Sequence, residues 1–125
     1  MTRKKEILII EDERDISEML QKFLEENDFI VSLAEDGNAA VEILKSNDFD
    51  LLIVDMLLPG EHGLDIIKMK GHNYITPIII ISGIYDEKEI FKRTKDSNVK
   101  YFIKKPFNLK DLLEKVKSAI NADQI

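Results

Sequence analysis

A chain of 125 residues fits one compact domain, 1–125, with a sizeable core but no room for two. Hydrophobic residues make up 44% and charged residues 34%, a globular balance, and no stretch approaches the roughly 20 apolar residues of a membrane span or a signal-peptide core. The absence of cysteine excludes disulfides and thiolate metal sites and makes a cytoplasmic setting the default, while a net charge of −6 disfavours direct nucleic-acid binding.

The first apolar run, Ile7-Leu8-Ile9-Ile10, is short and mostly β-branched, and Glu11-Asp12 follow it. That is how a strand buried on both faces reads. Ile16, Met19, Leu20, Phe23 and Leu24 then recur at helical spacing. Ile30-Val31-Ser32-Leu33-Ala34 is interrupted by a polar residue and suits an edge strand, and Ala39, Ala40, Ile43 and Leu44 make a smaller helical stripe. Leu51-Leu52-Ile53-Val54 is a second buried strand, ending at Asp55, with a short stripe of Leu64, Ile67 and Met69 behind it. Ile78-Ile79-Ile80-Ile81 is a third, ending at Ser82. From Asp86 to Ser97 only Ile90 and Phe91 offer apolar anchors, so this fourth helix is expected to be the least firmly held. Tyr101-Phe102-Ile103 leads to Lys104 and Lys105, and Leu109, Leu112, Leu113, Val116 and Ile120 close the chain as a helix.

Strand and helix alternate five times, which predicts an α/β doubly wound sandwich around a five-stranded parallel sheet. Placing the two least apolar strands at the edges gives the order 2-1-3-4-5, the flavodoxin-like arrangement. Ligands in such sheets bind beyond the carboxyl ends of the strands, where the strand order reverses. Here that point gathers Glu11, Asp12 and Asp55. Three carboxylates in one crevice repel, and the usual relief is protonation or a bound cation. Oxygen donors without His or Cys favour a hard ion, and an open, watery site favours magnesium over calcium. The neighbouring strand ends add the Ser82 hydroxyl and a lysine ammonium. Singly, Asp12 reads as a helix cap, Ser82 as a turn residue and Lys105 as a surface charge. Together they suit phosphoryl transfer to an Asp nucleophile.

Four landmarks stand in order: Ile9-Ile10-Glu11-Asp12-Glu13, Asp55-Met56-Leu57-Leu58-Pro59-Gly60 with Gly63, Ile81-Ser82-Gly83, and Lys105-Pro106-Phe107. In these the whole chain resembles the receiver domains of two-component response regulators. The resemblance implies that Asp55 is the phosphoacceptor, charged by a sensor histidine kinase or phosphotransfer protein. It implies that Asp12, Asp55 and the main-chain carbonyl of Met56 ligate magnesium, with Glu11 acting largely through water. Lys105 takes the role of the phosphate-pairing lysine, Ser82 that of the switch hydroxyl and Phe102 that of the switch aromatic. Tyr101 points to the other side of the strand, and the Lys105–Pro106 peptide is expected to be cis.

Such a chain promotes its own phosphorylation and dephosphorylation and is not an enzyme acting on an external substrate. It relays the signal by changing shape. Residues 1–63 hold 6 Lys/Arg against 16 Asp/Glu, whereas residues 64–125 hold 12 against 8. The basic face formed by the fourth helix, fifth strand and fifth helix is therefore expected to meet a downstream protein or a second copy. Three features depart from the family pattern. Asn98-Val99 stand where a Gly-Ala pair is usual, and Leu57 and Ile84 are apolar where polar residues are common. Unable to orient a water, Leu57 and Ile84 imply a longer-lived phosphorylated state. A haloacid-dehalogenase type of hydrolase would want a second Asp where Leu57 stands. A phosphate-independent interaction domain would not need Asp55, Ser82 and Lys105 together.

Overall fold

The computed structural model describes residues 3–55, 75–83, 88 and 98–122. Five strands form one parallel sheet: β1 (Glu6–Ile10), β2 (Ile30–Ala34), β3 (Leu51–Asp55), β4 (Ile78–Ser82) and β5 (Val99–Lys104). Their order is β2-β1-β3-β4-β5, the flavodoxin-like order expected, with the two least apolar strands at the edges. The described helices are α1 (Arg14–Glu26), α2 (Gly37–Ser46) and α3 (Leu109–Ala122). Lys88 apart, the helices expected around 64–69 and over 86–97 lie outside the described residues, as do Met56, Leu57 and Ile84.

Alternation along each inner strand divides the core between two layers. Ile7, Ile9, Ile53, Ile79 and Ile81 face α1 and α3, packing with Leu20, Leu24, Leu112 and Val116. Leu8, Ile10, Leu52, Val54 and Ile80 face the opposite way, toward Ala40 of α2. Every residue of β3 and β4 is buried, so neither face of these strands meets water. Each fully buried Leu or Ile contributes roughly 1.5–3 kcal/mol of transfer free energy.

In the described helices the apolar stripes hold with one displacement. Met19 is 43% exposed, whereas Ser17 is buried beside Leu20 and Leu24. Residue 19 sits about 100° around the helix from residue 20, at the margin of the buried face. Ser17 tolerates burial because its Oγ donates to the Arg14 carbonyl, at 3.1 Å. α1 ends in a Schellman turn: Asp28 has φ 72°, its N–H donates to the Glu25 carbonyl, and the Phe29 N–H donates to that of Leu24. Asn98 also has a role here. Its Nδ2 donates to the Ile75 carbonyl at 2.6 Å and its own carbonyl accepts from Ile78 N–H at 2.9 Å, aligning the starts of β4 and β5.

At the amino-terminal end of the sheet, Asp50 ties β1 to β3. It accepts from the Glu6 main-chain N–H at 2.8 Å and from both terminal nitrogens of Arg3, at 3.1 and 3.0 Å. Burial opposes its ionisation, but the bonds from Arg3 and Glu6 outweigh this and hold the carboxyl below its ordinary value. Asp50→Ala leaves the Glu6 N–H without this acceptor, and urea unfolding at neutral pH is expected to show a loss of about 1–2 kcal/mol. An unchanged midpoint would mean that water replaces the carboxylate in full. No described helix is long and apolar enough to cross a membrane.

Candidate functional site

The carboxyl ends of β1, β3, β4 and β5 deliver the polar residues to one crevice. β1 stops at Ile10, and the Glu11 N–H continues the ladder to Ala34 at 3.0 Å before the chain turns into α1. Glu11 is therefore carried inward, 2% exposed, while Asp12 stays at the surface. Asp55 is the last residue of β3 and is 3% exposed; Ser82 is the last of β4 and is 1% exposed. The parallel register sets Asp55 beside Ile81 and Ser82 beside Lys104. Beyond β5, the Lys105 N–H donates to the Ser82 carbonyl at 2.8 Å, and the Lys105–Pro106 peptide is cis, as expected.

Lys105 joins these groups. Its Nζ donates to Glu11 Oε1 at 2.7 Å, to Asp55 Oδ2 at 3.0 Å and to Glu13 Oε1 at 3.3 Å. Burial alone would lower this ammonium. Its hydrogen bonds to Glu11 and Asp55 outweigh burial and hold it well above the ordinary lysine range, so it is charged at any physiological pH. Burial also pushes the Glu11 carboxyl up to about 7, and the adjoining Asp55 adds to this against the pull of Lys105. Among the described residues, one ammonium thus serves two buried carboxylates.

Glu11, Asp12, Glu13 and Asp55 each offer a carboxylate oxygen, and these atoms lie within 4.8 Å of one another. An oxygen-only donor set of this charge fits a hard divalent cation. Glu13, which follows the acidic pair directly and has no expected role from the sequence, joins that set. Lys104 is exposed, as expected for the neighbour of the inward lysine. Phe102 packs with the core on the α2 side of the sheet and Tyr101 with the core on the α1 and α3 side, so the two aromatics face oppositely. Met56, the remaining expected ligand, lies outside the described residues.

Known proteins share this architecture. A response regulator receiver domain from Methanospirillum hungatei superposes with a TM-score of 0.89 over 98% of each chain at 23% identity, a likeness of fold. The response regulator TrrA of Thermotoga maritima, solved in complex with Mg²⁺-BeF, is 30% identical with a TM-score of 0.77, over 92% of this chain and 98% of its own. The response regulator ArlR of Staphylococcus saprophyticus is 33% identical over 117 residues, which are 91% of this chain and 51% of ArlR. A cyclic di-GMP phosphodiesterase of Thermotoga maritima is 35% identical over 115 residues, 91% of this chain and 30% of that protein. The chain thus spans about half or less of the length of these curated relatives. The family model of the response regulator receiver domain matches residues 7–117, and with the strand order and the strand-end residues already described, this chain belongs to that family.

Proposed function

We propose that the chain is a phosphorelay switch in which Asp55 accepts a phosphoryl group from a histidine kinase or phosphotransfer protein. The observation that carries this reading is the Lys105 ammonium bridging two buried carboxylates at the reversal point of the sheet. An Asp55 oxygen attacks phosphorus in line as the phosphorus–nitrogen bond of the donor phosphohistidine breaks, and the imidazole leaves. Lys105 donates to the Asp55 carboxylate and pairs with a phosphoryl oxygen once the group arrives. Ser82 donates its hydroxyl to another. Glu11, Asp12 and Asp55 would hold magnesium, joined by the Met56 carbonyl, and the ion would neutralise charge on the transferring group.

The output belongs to the same reading. Drawing Ser82 toward the phosphoryl group releases room for Phe102 to turn, and the face around β5 and α3 is offered to a downstream protein or a second copy. The chain acts on no external substrate beyond its phosphodonor. Incubation with acetyl phosphate and magnesium, followed by intact mass, tests the proposal. Wild type is expected to gain one phosphoryl group and Asp55→Asn none. No gain in the wild type, or an equal gain in the variant, overturns it.

A further inference from the structure

Glu13 occupies the N-cap of α1, with φ −80° and ψ 106°, yet its side chain makes no capping hydrogen bond. Ser, Thr, Asp and Asn are the residues whose short side chains close a helix start; Glu is too long to do it well. Its main chain is fully used: the N–H donates to Glu11 Oε2 at 3.2 Å, and the carbonyl accepts from Ile16 and Ser17. The side chain instead reaches across to Lys105 Nζ, at 3.3 Å. A local rule of helix capping is broken where the residue contacts the site's one described ammonium, a pattern expected when a position serves function before stability.

From this geometry we propose that Glu13 is a positioning residue for Lys105, giving the ammonium an outer anionic seat at the mouth of the crevice. The inference rests on the receiver reading given above. Glu11 and Asp55 hold Lys105 from within, at 2.7 and 3.0 Å, with side chains 0% and 5% exposed. Glu13 holds it from outside, with its side chain 61% exposed. For Glu11 and Asp55 to turn their oxygens to a cation, the ammonium must loosen its hold on them. Glu13 lets it do so without leaving its negative surroundings. Without Glu13, the ammonium keeps, among the described residues, only the two inner carboxylates, and a cation must compete with a tighter ion pair.

Two substitutions separate charge from reach. Glu13→Asp keeps the charge, shortens the arm by one methylene, and suits the N-cap so well that the carboxylate turns to the helix N–H groups. Glu13→Gln removes the charge and keeps the length. Glu35→Gln, at an exposed acid lining the adjoining groove, serves as the general charge control.

The Lys105 ammonium is observed by ¹H–¹⁵N correlation in the metal-free full chain, and magnesium affinity by titration. Both Glu13 variants are expected to shift the Lys105 Nζ resonance and weaken magnesium binding by about 3–10-fold, with Glu35→Gln within about twofold. In a Lys105→Met background, Glu13→Asp should no longer alter magnesium affinity. A Glu13→Asp chain with an unmoved Lys105 resonance overturns the proposal. So does wild-type affinity in Glu13→Asp beside a loss in Glu13→Gln, which is the signature of charge alone. Absence of magnesium binding in the wild type counts against the receiver reading instead, and the metal-free resonance still decides the Glu13 contact.

Discussion

Lys105→Met is expected to destabilise the metal-free protein by about 3 kcal/mol at about pH 8, and by clearly less at about pH 5.5. Methionine keeps most of the apolar stem, so the loss reports the charge rather than a cavity. Of the partners left behind, Glu11 and Asp55 are buried, and Lys105 itself is only 14% exposed, so water does not readily replace the ammonium there. At the higher pH Glu11 is pushed further up once the ammonium that lowers it is gone. It must either carry its charge beside Asp55 in a poorly solvated crevice or draw a proton from basic solution, and both cost stability. At the lower pH a proton on Glu11, whose carboxyl already stands at about 7 with the lysine present, relieves most of the repulsion. Urea unfolding at the two pH values makes the comparison. A second substitution, Asp55→Asn, should recover much of the loss at the higher pH, since it removes the repulsion at its other end. An equal loss at both pH values would show that Lys105 acts through packing and not through charge.

The sheet was legible because buried parallel strands need apolar residues on both faces, and Ile78-Ile79-Ile80-Ile81 has no other economical reading. β5 was less so. Tyr101-Phe102-Ile103 marks only its middle, whereas pairing with β4 extends it from Val99 to Lys104. Residues such as Val99 join a strand because a neighbour offers hydrogen bonds, which periodicity does not encode. Ala119 likewise lies in the core of α3, its small side chain leaving little mark on a hydrophobic stripe. In the site, strand-end position marks Glu11 and Asp55 but leaves Lys104 and Lys105 open, and the family resemblance points to Lys105. The structure brings both carboxylates within hydrogen-bonding distance of its ammonium. Glu13 stands in the first landmark but carries no assigned role there, for a physical reason. A charged residue at a helix start usually faces water, and only the three-dimensional approach of Lys105, 92 positions away in sequence, gives it a partner.

The metal-free protein is expected to lose stability as pH rises through the window in which Glu11 titrates. Its carboxyl has an ordinary value of 4.5 and stands at about 7 in the folded chain, mainly through burial and then through Asp55. Between those values the folded state binds a proton that the unfolded state has released, so stability falls with rising pH. The contribution is complete below 4.5, is lost as pH climbs through about 7, and amounts to at most about 3 kcal/mol. Asp50 has the opposite sign, being held below its ordinary 3.8, and so acts only at more acid pH, outside this window. Thermal melts from about pH 4.5 to 8.5 should therefore decline in wild type and flatten in Glu11→Gln. Magnesium should reverse the decline, because a cation and a proton compete for the same oxygens. At a free concentration near 100 times the dissociation constant, mass action contributes about 2.7 kcal/mol, so its gain in melting temperature should be large at about pH 8 and small at about pH 5. Asp12→Ala, which removes an exposed member of the same donor set, should reduce that gain without restoring the flat profile of Glu11→Gln. A magnesium effect equal at both pH values would show that the ion binds away from Glu11.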